Sequence, residues 1–339
     1  MEILQEQTFK KAKMKNISIV EKYKSFNPKK AIALNECAKI LEFNLKRNTA
    51  TLEEKLKLAY MNSCSDRFCP MCQWRKQLKY SALVFKQLCD LNQKTPLRYI
   101  FLTLTVQNCE LEHLRATIKR MNQAFQRMSQ TKRFTNSVLG SIRVLEFTIN
   151  PKNKSLHPHF HTLLAVQPSY FNRNLDKYIK QSEWREMWQK ALKTDYLPQV
   201  NIKIIKSKNQ VANESQNADT TPEQAYSAAV AEMLKYPLKD TDLQHLDNNE
   251  FEELTKQLRH IRNINCGGIF KGTFSKKLQE LENDTDLIHI NEEQDPEQWE
   301  IIARYIYKFL FNPRYEKSGD YYLKEILLPK EQDPPPEFF

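Results

Sequence analysis

The chain has 339 residues and a mass of 40.2 kDa, enough for one full hydrophobic core and a smaller additional domain. Its 52 basic residues exceed its 41 acidic residues, and the net charge of +11 favours a polyanionic partner, although dispersed solvated lysines would give the same charge. The five glycines form no glycine-rich phosphate loop, which argues against ATP-driven chemistry. Without an eighteen-residue apolar run or a secretory signal pattern, we expect a soluble cytoplasmic protein that does not enter a membrane.

The N-terminal part of the chain divides into two predicted segments. Residues 1–34 are polar and lysine-rich without strong apolar periodicity, so we predict a flexible basic arm. Residues 35–95 begin with a cluster of four cysteines between Cys37 and Cys72, and a helical pattern then opens at Trp74 and runs to about Asn92. We predict a small zinc-binding module followed by a helix there.

The cysteine spacing is the basis of that zinc prediction. The four candidate ligands are Cys37, Cys64, Cys69 and Cys72. The last two form a C-x2-C pair, and four thiolates can close a tetrahedral structural site. An odd number of cysteines in a reducing compartment argues against a disulfide framework. Buried free thiols are the alternative, and we prefer it for the isolated Cys89, Cys109 and Cys266.

Residues 96–280 have the pattern of an α+β domain. Segments 98–106, 140–150 and 158–166 are rich in β-branched and aromatic residues, which predicts strands. Further predicted elements are helices over 111–129, 182–192 and 221–236 and a strand over 199–206. Residues 281–339 are predicted to be a mostly helical, charged C-terminal extension, with a disordered tail around Asp333–Pro336.

The most informative segment is His157-Pro158-His159-Phe160-His161, which holds three of the seven histidines. Alternate side chains of a strand share a face, so His159 and His161 project together. Because histidine is the commonest protein metal ligand, the pair predicts a divalent metal site, with His157 as a further candidate ligand. Histidines on a solvated sheet face are the alternative.

Glu146 is the candidate carboxylate ligand. If strands 140–150 and 158–166 pair symmetrically about their turn, paired residue numbers sum to about 307 and Glu146 faces His161. Two histidines and one carboxylate suit Mn²⁺, Mg²⁺ or another first-row ion with open positions. A shift of one residue would turn Glu146 to the other face. A buried acid paired with an arginine or lysine remains the alternative.

A second pair of reactive side chains lies in the predicted helix that ends near Pro237. Glu232 and Tyr236 are four residues apart, so a helix presents both on one face. Tyrosine can serve as a covalent nucleophile and glutamate as a base, although most such pairs in amphipathic helices do neither. Lys235 and Lys239 could be solvated charges or phosphate contacts.

Three motifs in this order resemble those of the rolling-circle plasmid replication initiators of the HUH endonuclease superfamily. They are Phe101–Thr105, His157–Leu164 and Glu232–Lys239. Cys64–Cys72 with Trp74-Arg75-Lys76, and Cys266–Lys271, resemble the flanking segments of that family. The resemblance covers roughly residues 35–280.

The resemblance implies a central five-stranded antiparallel sheet flanked by helices, with the metal pair in its centre. It implies that Tyr236 is the single nucleophile, because Tyr226 lies off the face that Glu232 shares with Tyr236. His159 and His161 match the family's metal ligands, and Glu146 is a looser match. Glu232 would activate water or otherwise help to end the cycle.

The resemblance also implies a reaction and partners. The initiator would nick one strand at a plasmid double-strand origin, form a 5′-phosphotyrosyl link, free a 3′-hydroxyl primer and later rejoin the strand. Its cofactors would be catalytic Mn²⁺ or Mg²⁺ and structural Zn²⁺, and its partners origin DNA and, in a bacterial host, a helicase and a DNA polymerase. The expected DNA contacts are Lys235, Lys239, Arg75 and Lys76.

Three other functions fit parts of the same pattern. A related HUH transposase or relaxase would use the same site on a different DNA. A zinc-containing DNA-binding regulator would not be an enzyme, and its histidines would be structural. A hydrolytic metalloenzyme with another substrate would keep the metal but should be indifferent to the change of Tyr236 to phenylalanine.

Overall fold

The computed structural model describes residues 2–172, 174–205, 226–227, 230–231, 233–234, 243–284, 286–290, 299–312 and 318–328. The chain forms two compact units, the first from Met1–Arg75 and Asp284–Phe339 and the second from Lys76–Asn283. Both ends of the chain belong to the same unit, whereas the domains expected between boundaries near residues 34, 95 and 280 follow one another along the sequence.

The described helices and strands follow one another along the chain with these bounds. They are α1 (Glu2–Lys24), α2 (Pro28–Glu36), β1 (Ile40–Asn48), β2 (Glu54–Met61), α3 (Pro70–Lys94), β3 (Arg98–Thr105), α4 (Leu114–Ser129), α5 (Lys132–Ser137), β4 (Gly140–Ile149), β5 (Leu156–Val166), α6 (Gln181–Leu192), β6 (Val200–Ile204), α7 (Asn248–Leu258), β7 (Ile264–Gly268), α8 (Thr273–Asn283), β8 (Trp299–Phe311) and β9 (Gly319–Leu327). Short 3₁₀ turns lie at Leu111–His113 and Pro168–Phe171.

The first unit is built on a four-stranded antiparallel sheet in the order β2-β1-β8-β9. Alternation along the strands turns one face inward, and its buried members include Leu41, Phe43, Met61, Ala303 and Phe309. Helix α1 covers this face. The ring of Phe9 lies 5.7 Å from that of Phe43 and 5.0 Å from that of Trp74, both edge to face.

Helix α1 differs from the flexible arm that we predicted for residues 1–34. Its buried apolar residues recur at helical spacing and are Phe9, Ala12, Ile19, Val20 and Tyr23. The stripe is interrupted in the sequence by Lys13 and Asn16, which are also buried. Because these two polar residues break the apolar pattern, the sequence did not indicate the amphipathic helix, whose apolar face packs against the sheet.

The C-terminal region also differs from its prediction. Residues 299–311 and 319–327 form strands instead of helices, and β8 pairs with β1 along almost its whole length. The partner strand lies some 250 residues away in sequence, so no local pattern indicated it. The predicted disordered tail around Asp333–Pro336 lies outside the described residues.

The second unit contains a five-stranded antiparallel sheet in the order β6-β3-β5-β4-β7. The predicted α+β class and five-stranded antiparallel sheet are therefore confirmed. Four of these strands, β3, β4, β5 and β6, occupy segments predicted as strands. The Cys266-Gly267-Gly268 segment lies in β7, where Gly268 has φ +60° and an added Cβ would collide with the carbonyl oxygen of Leu139.

Helices cover both faces of this sheet. On one face Phe160 of β5 meets Phe125 of α4 and Trp188 of α6, at ring distances of 6.4 and 6.5 Å. On the other face an apolar cluster joins residues of β3, β4 and β5 to α3, α8 and the residues around 230–234. Its members include Phe101, Val144, Leu163, Val84, Leu278, Val230, Met233 and Leu234.

Among the helices described, none combines the length and the apolar character that crossing a bilayer requires.

We predict that Phe9→Ala lowers the free energy of unfolding by about 3 to 5 kcal/mol, because it empties a buried aromatic site. Lys11→Ala, at an exposed position of the same helix, should change it by less than about 0.5 kcal/mol. Urea unfolding followed by circular dichroism measures both. Equal midpoints for Phe9→Ala and the wild type would show that α1 is a loose arm after all.

Candidate functional site

The register of β4 and β5 places Glu146 opposite His159, and Val144 opposite His161. The prediction that Glu146 directly faces His161 is therefore wrong by two residues. The reason is the turn, in which residues 150–155 close on the hydrogen bond from Asn150 N–H to Ser155 O, so its centre falls one position earlier than we assumed. A two-residue shift keeps every side chain on its face, so the carboxylate still reaches both histidines.

Glu146, His159 and His161 converge on one point at the centre of the sheet. The Oε2 atom of Glu146 lies 2.7 Å from His161 Nε2 and 3.5 Å from His159 Nε2. One ligand atom from each residue lies within 4.8 Å of the others, close enough for the three to hold a metal ion. All three side chains are at least 85% buried, so the group is shielded from bulk water.

The hydrogen bond of His159 directs one lone pair into the cluster. Its Nδ1 lies 3.1 Å from the main-chain oxygen of His157, and a carbonyl oxygen can only accept, so Nδ1 carries a proton. In the neutral ring Nε2 is then an acceptor that faces the Glu146 carboxylate, which is also an acceptor. Two facing acceptors attract only through a cation or a proton between them. Metal-bound histidines are commonly oriented by such a bond to the other ring nitrogen.

His161 is fixed by β3, the neighbouring strand. Thr103 lies opposite it in the sheet, and its Oγ1 is 3.3 Å from His161 Nδ1. The ring of Phe101 stacks on the imidazole with centroids 5.3 Å apart. Sequence reasoning gave Thr103 no role. The alternation of β3, combined with its pairing to β5, is the signal that would have placed it on the site face.

The electrostatics favour an ionised Glu146. Burial raises the pKa of this carboxyl group, but the hydrogen bonds and charges of His159 and His161 outweigh burial and lower it to about 2. The group is therefore a carboxylate at neutral pH. Within the described residues the side chains paired with this carboxylate are the two histidines, so the alternative of an arginine or lysine partner finds no support.

His157 lies on the same face but outside the cluster. Its Nδ1 is 2.9 Å from Asn108 Oδ1, and burial together with the neighbouring His159 lowers the pKa of its imidazole. The structure therefore brings Glu146, and not His157, together with the histidine pair.

The four predicted cysteines form a second cluster, in the first unit. Cys37 Sγ lies 3.5 Å from Cys72 Sγ and 3.6 Å from Cys69 Sγ, and Cys64 Sγ lies 3.7 Å from Cys72 Sγ. These separations are far longer than the roughly 2.05 Å of a disulfide. They are close to the edge of about 3.8 Å expected for a tetrahedron of thiolates around an ion 2.3 Å from each sulfur.

Helix ends and one loop hold the cysteines. Cys37 caps the end of α2, Cys69 immediately precedes α3, and Cys72 lies in the first turn of α3. The loop that carries Cys64 is held by Asp66, whose carboxylate accepts the N–H of Phe68 at 2.8 Å and the hydroxyl of Tyr23 at 3.2 Å.

The thiols of this cluster cannot all ionise without a cation. Burial raises the pKa of Cys69 well above its usual value, whereas hydrogen bonds from the other thiols, first that of Cys64, lower the pKa of Cys37. Without a cation, these shifts favour a Cys37 thiolate beside a protonated Cys69. A bound cation would replace the protons.

The predicted DNA contacts have different positions. Arg75 is buried, and its guanidinium donates to the main-chain oxygens of Leu287 and Ile288 at 2.6 and 2.7 Å, so in this structure these oxygens occupy the donors that a phosphate contact would use. Lys76 is partly buried and donates to the Glu282 main-chain oxygen at 2.9 Å. Glu232, Lys235, Tyr236 and Lys239 lie outside the described residues.

Part of the segment before Tyr236 is described. Val230, Met233 and Leu234 are buried, and the N–H of Leu234 donates to Val230 O at 2.9 Å, the i to i+4 bond of a helical turn. These residues belong to the apolar cluster that includes Phe101, Val144 and Leu163. Strand alternation puts that cluster on the same face of the sheet as Glu146, His159 and His161.

Comparison with known proteins identifies the family. Residues 55–317 match the Rep_1 family of replication proteins. A "Protein rep" of Bacillus amyloliquefaciens is 39% identical over 79% of this chain and 78% of its own length. Proteins of the same name from Lentilactobacillus hilgardii and Lactiplantibacillus plantarum are 32% and 31% identical, and each match covers about nine tenths of both chains.

The chain therefore belongs to the Rep_1 replication protein family. This confirms the resemblance to plasmid rolling-circle replication initiators that the three motifs indicated. No solved structure matches the chain.

We predict that Glu146→Gln and His159→Ala each weaken Mn²⁺ binding at least 100-fold, because each removes one of three converging ligands. His157→Ala is the matched control on the same strand and face, and it should change the affinity by no more than about threefold. Electron paramagnetic resonance titration of free Mn²⁺ measures all three. Loss of binding in His157→Ala but not in Glu146→Gln would exchange the roles of these two residues.

Proposed function

We propose that this chain initiates plasmid rolling-circle replication as a metal-dependent nicking and closing enzyme with Tyr236 as its nucleophile. The observation that carries the proposal is the convergence of Glu146, His159 and His161 on the sheet face that also packs against Val230, Met233 and Leu234. A nicking site needs a cation at the scissile phosphate and a hydroxyl within reach of it. Family membership supplies the replication context.

Chain connectivity supports Tyr236 as the nucleophile. It follows Leu234 by two residues, so covalent geometry limits the separation of their Cα atoms to about 7.6 Å. Leu234 itself packs in the apolar cluster beside the candidate metal site. Tyr226, the other tyrosine of this segment, packs edge to face on Tyr99 with ring centroids 5.3 Å apart, which suits a structural role.

The chemistry follows from these groups. A divalent ion held by Glu146, His159 and His161 would stabilise the negative charge that grows on the phosphate oxygens. Mn²⁺ and Mg²⁺ suit the mixed nitrogen and oxygen ligands. Tyr236, as its phenolate, attacks phosphorus; the bond to the 3′-oxygen breaks, and that oxygen leaves with the electron pair and takes a proton. The products are a 5′-phosphotyrosyl link and a free 3′-hydroxyl.

The phosphotyrosyl link conserves the energy of the broken bond, so a 3′-hydroxyl can attack it and reseal the strand without nucleotide hydrolysis. Glu232 would act at the end of the cycle by activating water as a general base. Lys235 and Lys239 would bind phosphates next to the scissile bond. The 3′-hydroxyl is a primer for a host polymerase, and unwinding would need a host helicase because the sequence lacks a glycine-rich phosphate loop.

The cysteine cluster would be a structural zinc site. Four thiolates close the coordination shell, which suits Zn²⁺ in a structural role and leaves no position for a substrate. Cys37, Cys69 and Cys72 are buried and join α2, the loop after β2 and the start of α3. Zinc would thus fix the first unit, which contains both ends of the chain.

We predict that Tyr236→Phe abolishes nicking of supercoiled origin plasmid and the covalent protein–DNA adduct, because phenylalanine has no nucleophilic oxygen. Tyr226→Phe is the matched control and should retain at least half of the wild-type rate. Agarose gels measure the nick, and mass spectrometry of an origin oligonucleotide adduct identifies the modified tyrosine.

Two outcomes would contradict the assignment. An adduct on another tyrosine would move the nucleophile while leaving the enzyme class intact. Origin binding without any nick or adduct in the presence of Mn²⁺ would favour a DNA-binding regulator. A transposase or relaxase would nick and form the adduct on its own recognition DNA but not on a double-strand replication origin.

We further predict that Cys72→Ser lowers zinc content to well below one ion per chain and lowers the thermal midpoint, because a closed thiolate site contributes directly to folding. Cys89→Ser, at an isolated cysteine outside the cluster, should keep one zinc per chain. Elemental analysis and thermal unfolding measure the two effects. Full zinc content in Cys72→Ser would contradict the proposed site.

A further inference from the structure

Lys13 is a buried lysine on α1. Its side chain is 2% exposed, and within the described part of the first unit it is the only lysine in the buried class. Its Nζ donates hydrogen bonds to the main-chain oxygens of Asn35 and Cys37, each at 2.6 Å. Because Cys37 belongs to the cysteine cluster, this ammonium group lies directly against the main chain of a candidate metal ligand.

An ammonium group in the interior needs a compensating negative charge, because its desolvation is costly. Within the described residues Lys13 forms no ion pair with a carboxylate. The groups whose negative charges would offset this cost are Cys37 and Cys69 when they are ionised, followed by Glu36, whereas the ammonium of Lys39 adds to the cost. The ring of Phe309 lies 5.7 Å from Nζ and adds a weaker attraction.

The metal–thiolate centre, in turn, needs a positive charge nearby. Four thiolates around a divalent ion carry a net charge of −2, and three of the four cysteines are buried. A buried dianion is as costly as a buried cation unless an opposite charge is close. Two other cations of the first unit are paired with carboxylates, Lys30 with Asp66 and Lys39 with Glu36.

We propose that Lys13 is the counter-charge of the metal–thiolate centre, that it raises the affinity of the cysteine cluster for a divalent metal, and that it couples the docking of α1 to metal binding. The inference rests on the zinc site proposed above. Neither charge is well compensated alone, so each stabilises the other. Lys13 is thus a positioning residue that acts through Cys37.

A simpler role must be separated from this one. Lys13 and Asn16 also bind carbonyl oxygens at the end of α2, since Asn16 Nδ2 donates to Leu34 O at 2.7 Å. Such contacts alone would make Lys13 a helix C-cap, whose loss destabilises the protein with or without metal. Removal of a counter-charge would instead destabilise only the metal-loaded state.

The first experiment uses the full chain and Zn²⁺ with a competing chromophoric chelator. We expect Lys13→Met to weaken zinc binding 10- to 100-fold and Lys13→Arg to stay within about fivefold of the wild type. Without metal, Lys13→Met should unfold at the same or a higher urea concentration, because the buried charge has gone. Lys11→Met, exposed on the same helix, is the matched control and should change neither quantity.

The second experiment measures the effect of the Lys13 charge on the metal centre. With iron in place of zinc, a tetrathiolate centre cycles between Fe³⁺ and Fe²⁺, and removal of a nearby positive charge favours Fe³⁺. We expect Lys13→Met to lower the reduction potential by about 59 mV or more, the equivalent of a tenfold shift, and Lys13→Arg to leave it nearly unchanged. Protein film voltammetry or a redox titration measures the potential.

The outcomes separate this inference from the zinc proposal. Equal zinc affinity and equal potential in the wild type and Lys13→Met would overturn the role of Lys13 while leaving the metal site intact. Destabilisation of the metal-free Lys13→Met protein with unchanged zinc affinity would make Lys13 a helix cap. A wild-type protein that binds no metal would overturn both proposals.

Discussion

The structure depends most on one electrostatic constraint: groups that repel one another are held together in two places. At the sheet centre, the Nε2 lone pair of His159 and the carboxylate of Glu146 face each other 3.5 Å apart. In the first unit, four cysteine sulfurs lie within hydrogen-bond distance of their neighbours without forming disulfides. Antiparallel pairing of β4 with β5 enforces the first arrangement, and the ends of α2 and α3 enforce the second. Both arrangements are stable only with cations or protons between the ligands, which is why metal binding is central to the proposed function.

The two clusters suit different tasks for the same physical reason. The cysteine cluster has four soft, mostly buried ligands and a complete shell, so an ion there can only hold the surrounding elements together. The group of Glu146, His159 and His161 has three harder ligands and leaves positions open for phosphate oxygens. The apolar cluster beside it contains Val230, Met233 and Leu234, and Tyr236 follows Leu234 by two residues in the sequence. In the proposed function, a structural ion and a reactive centre would thus lie in different units of one chain.

The parts of the fold that sequence predicted are those with local signals. His159 and His161 share a face because side chains alternate along a strand. The two-residue error in the register of β4 and β5 left Glu146 on that face, because only a shift by an odd number of residues moves a side chain to the other face. Cys69 and Cys72 could be predicted as metal ligands from their C-x2-C spacing. The register itself could not be predicted, since it depends on the length of the turn after Ile149. The burial of Arg75 could not be predicted, because its charge is visible in the sequence and its main-chain partners are not.

Two larger errors concern the ends of the chain. Helix α1 was missed because Lys13 and Asn16 interrupt its apolar stripe, and the same two residues bind the end of α2 in the interior. Strand β1 has apolar residues at alternate positions, Leu41, Phe43 and Leu45, a pattern that indicates a strand. Its partner β8, however, lies near the other end of the sequence. Non-local pairing of this kind leaves no trace in a short window.

The most direct test of the central claim is the electron spin-echo envelope of Mn²⁺ bound to the full chain, with histidine labelled by ¹⁵N. Coordination by His159 and His161 predicts coupling from two imidazole nitrogens, which should fall to one nitrogen in His161→Ala. A bound Mn²⁺ that shows no nitrogen coupling would contradict the account, because the ion would then lie away from the histidine pair that the sheet places at its centre.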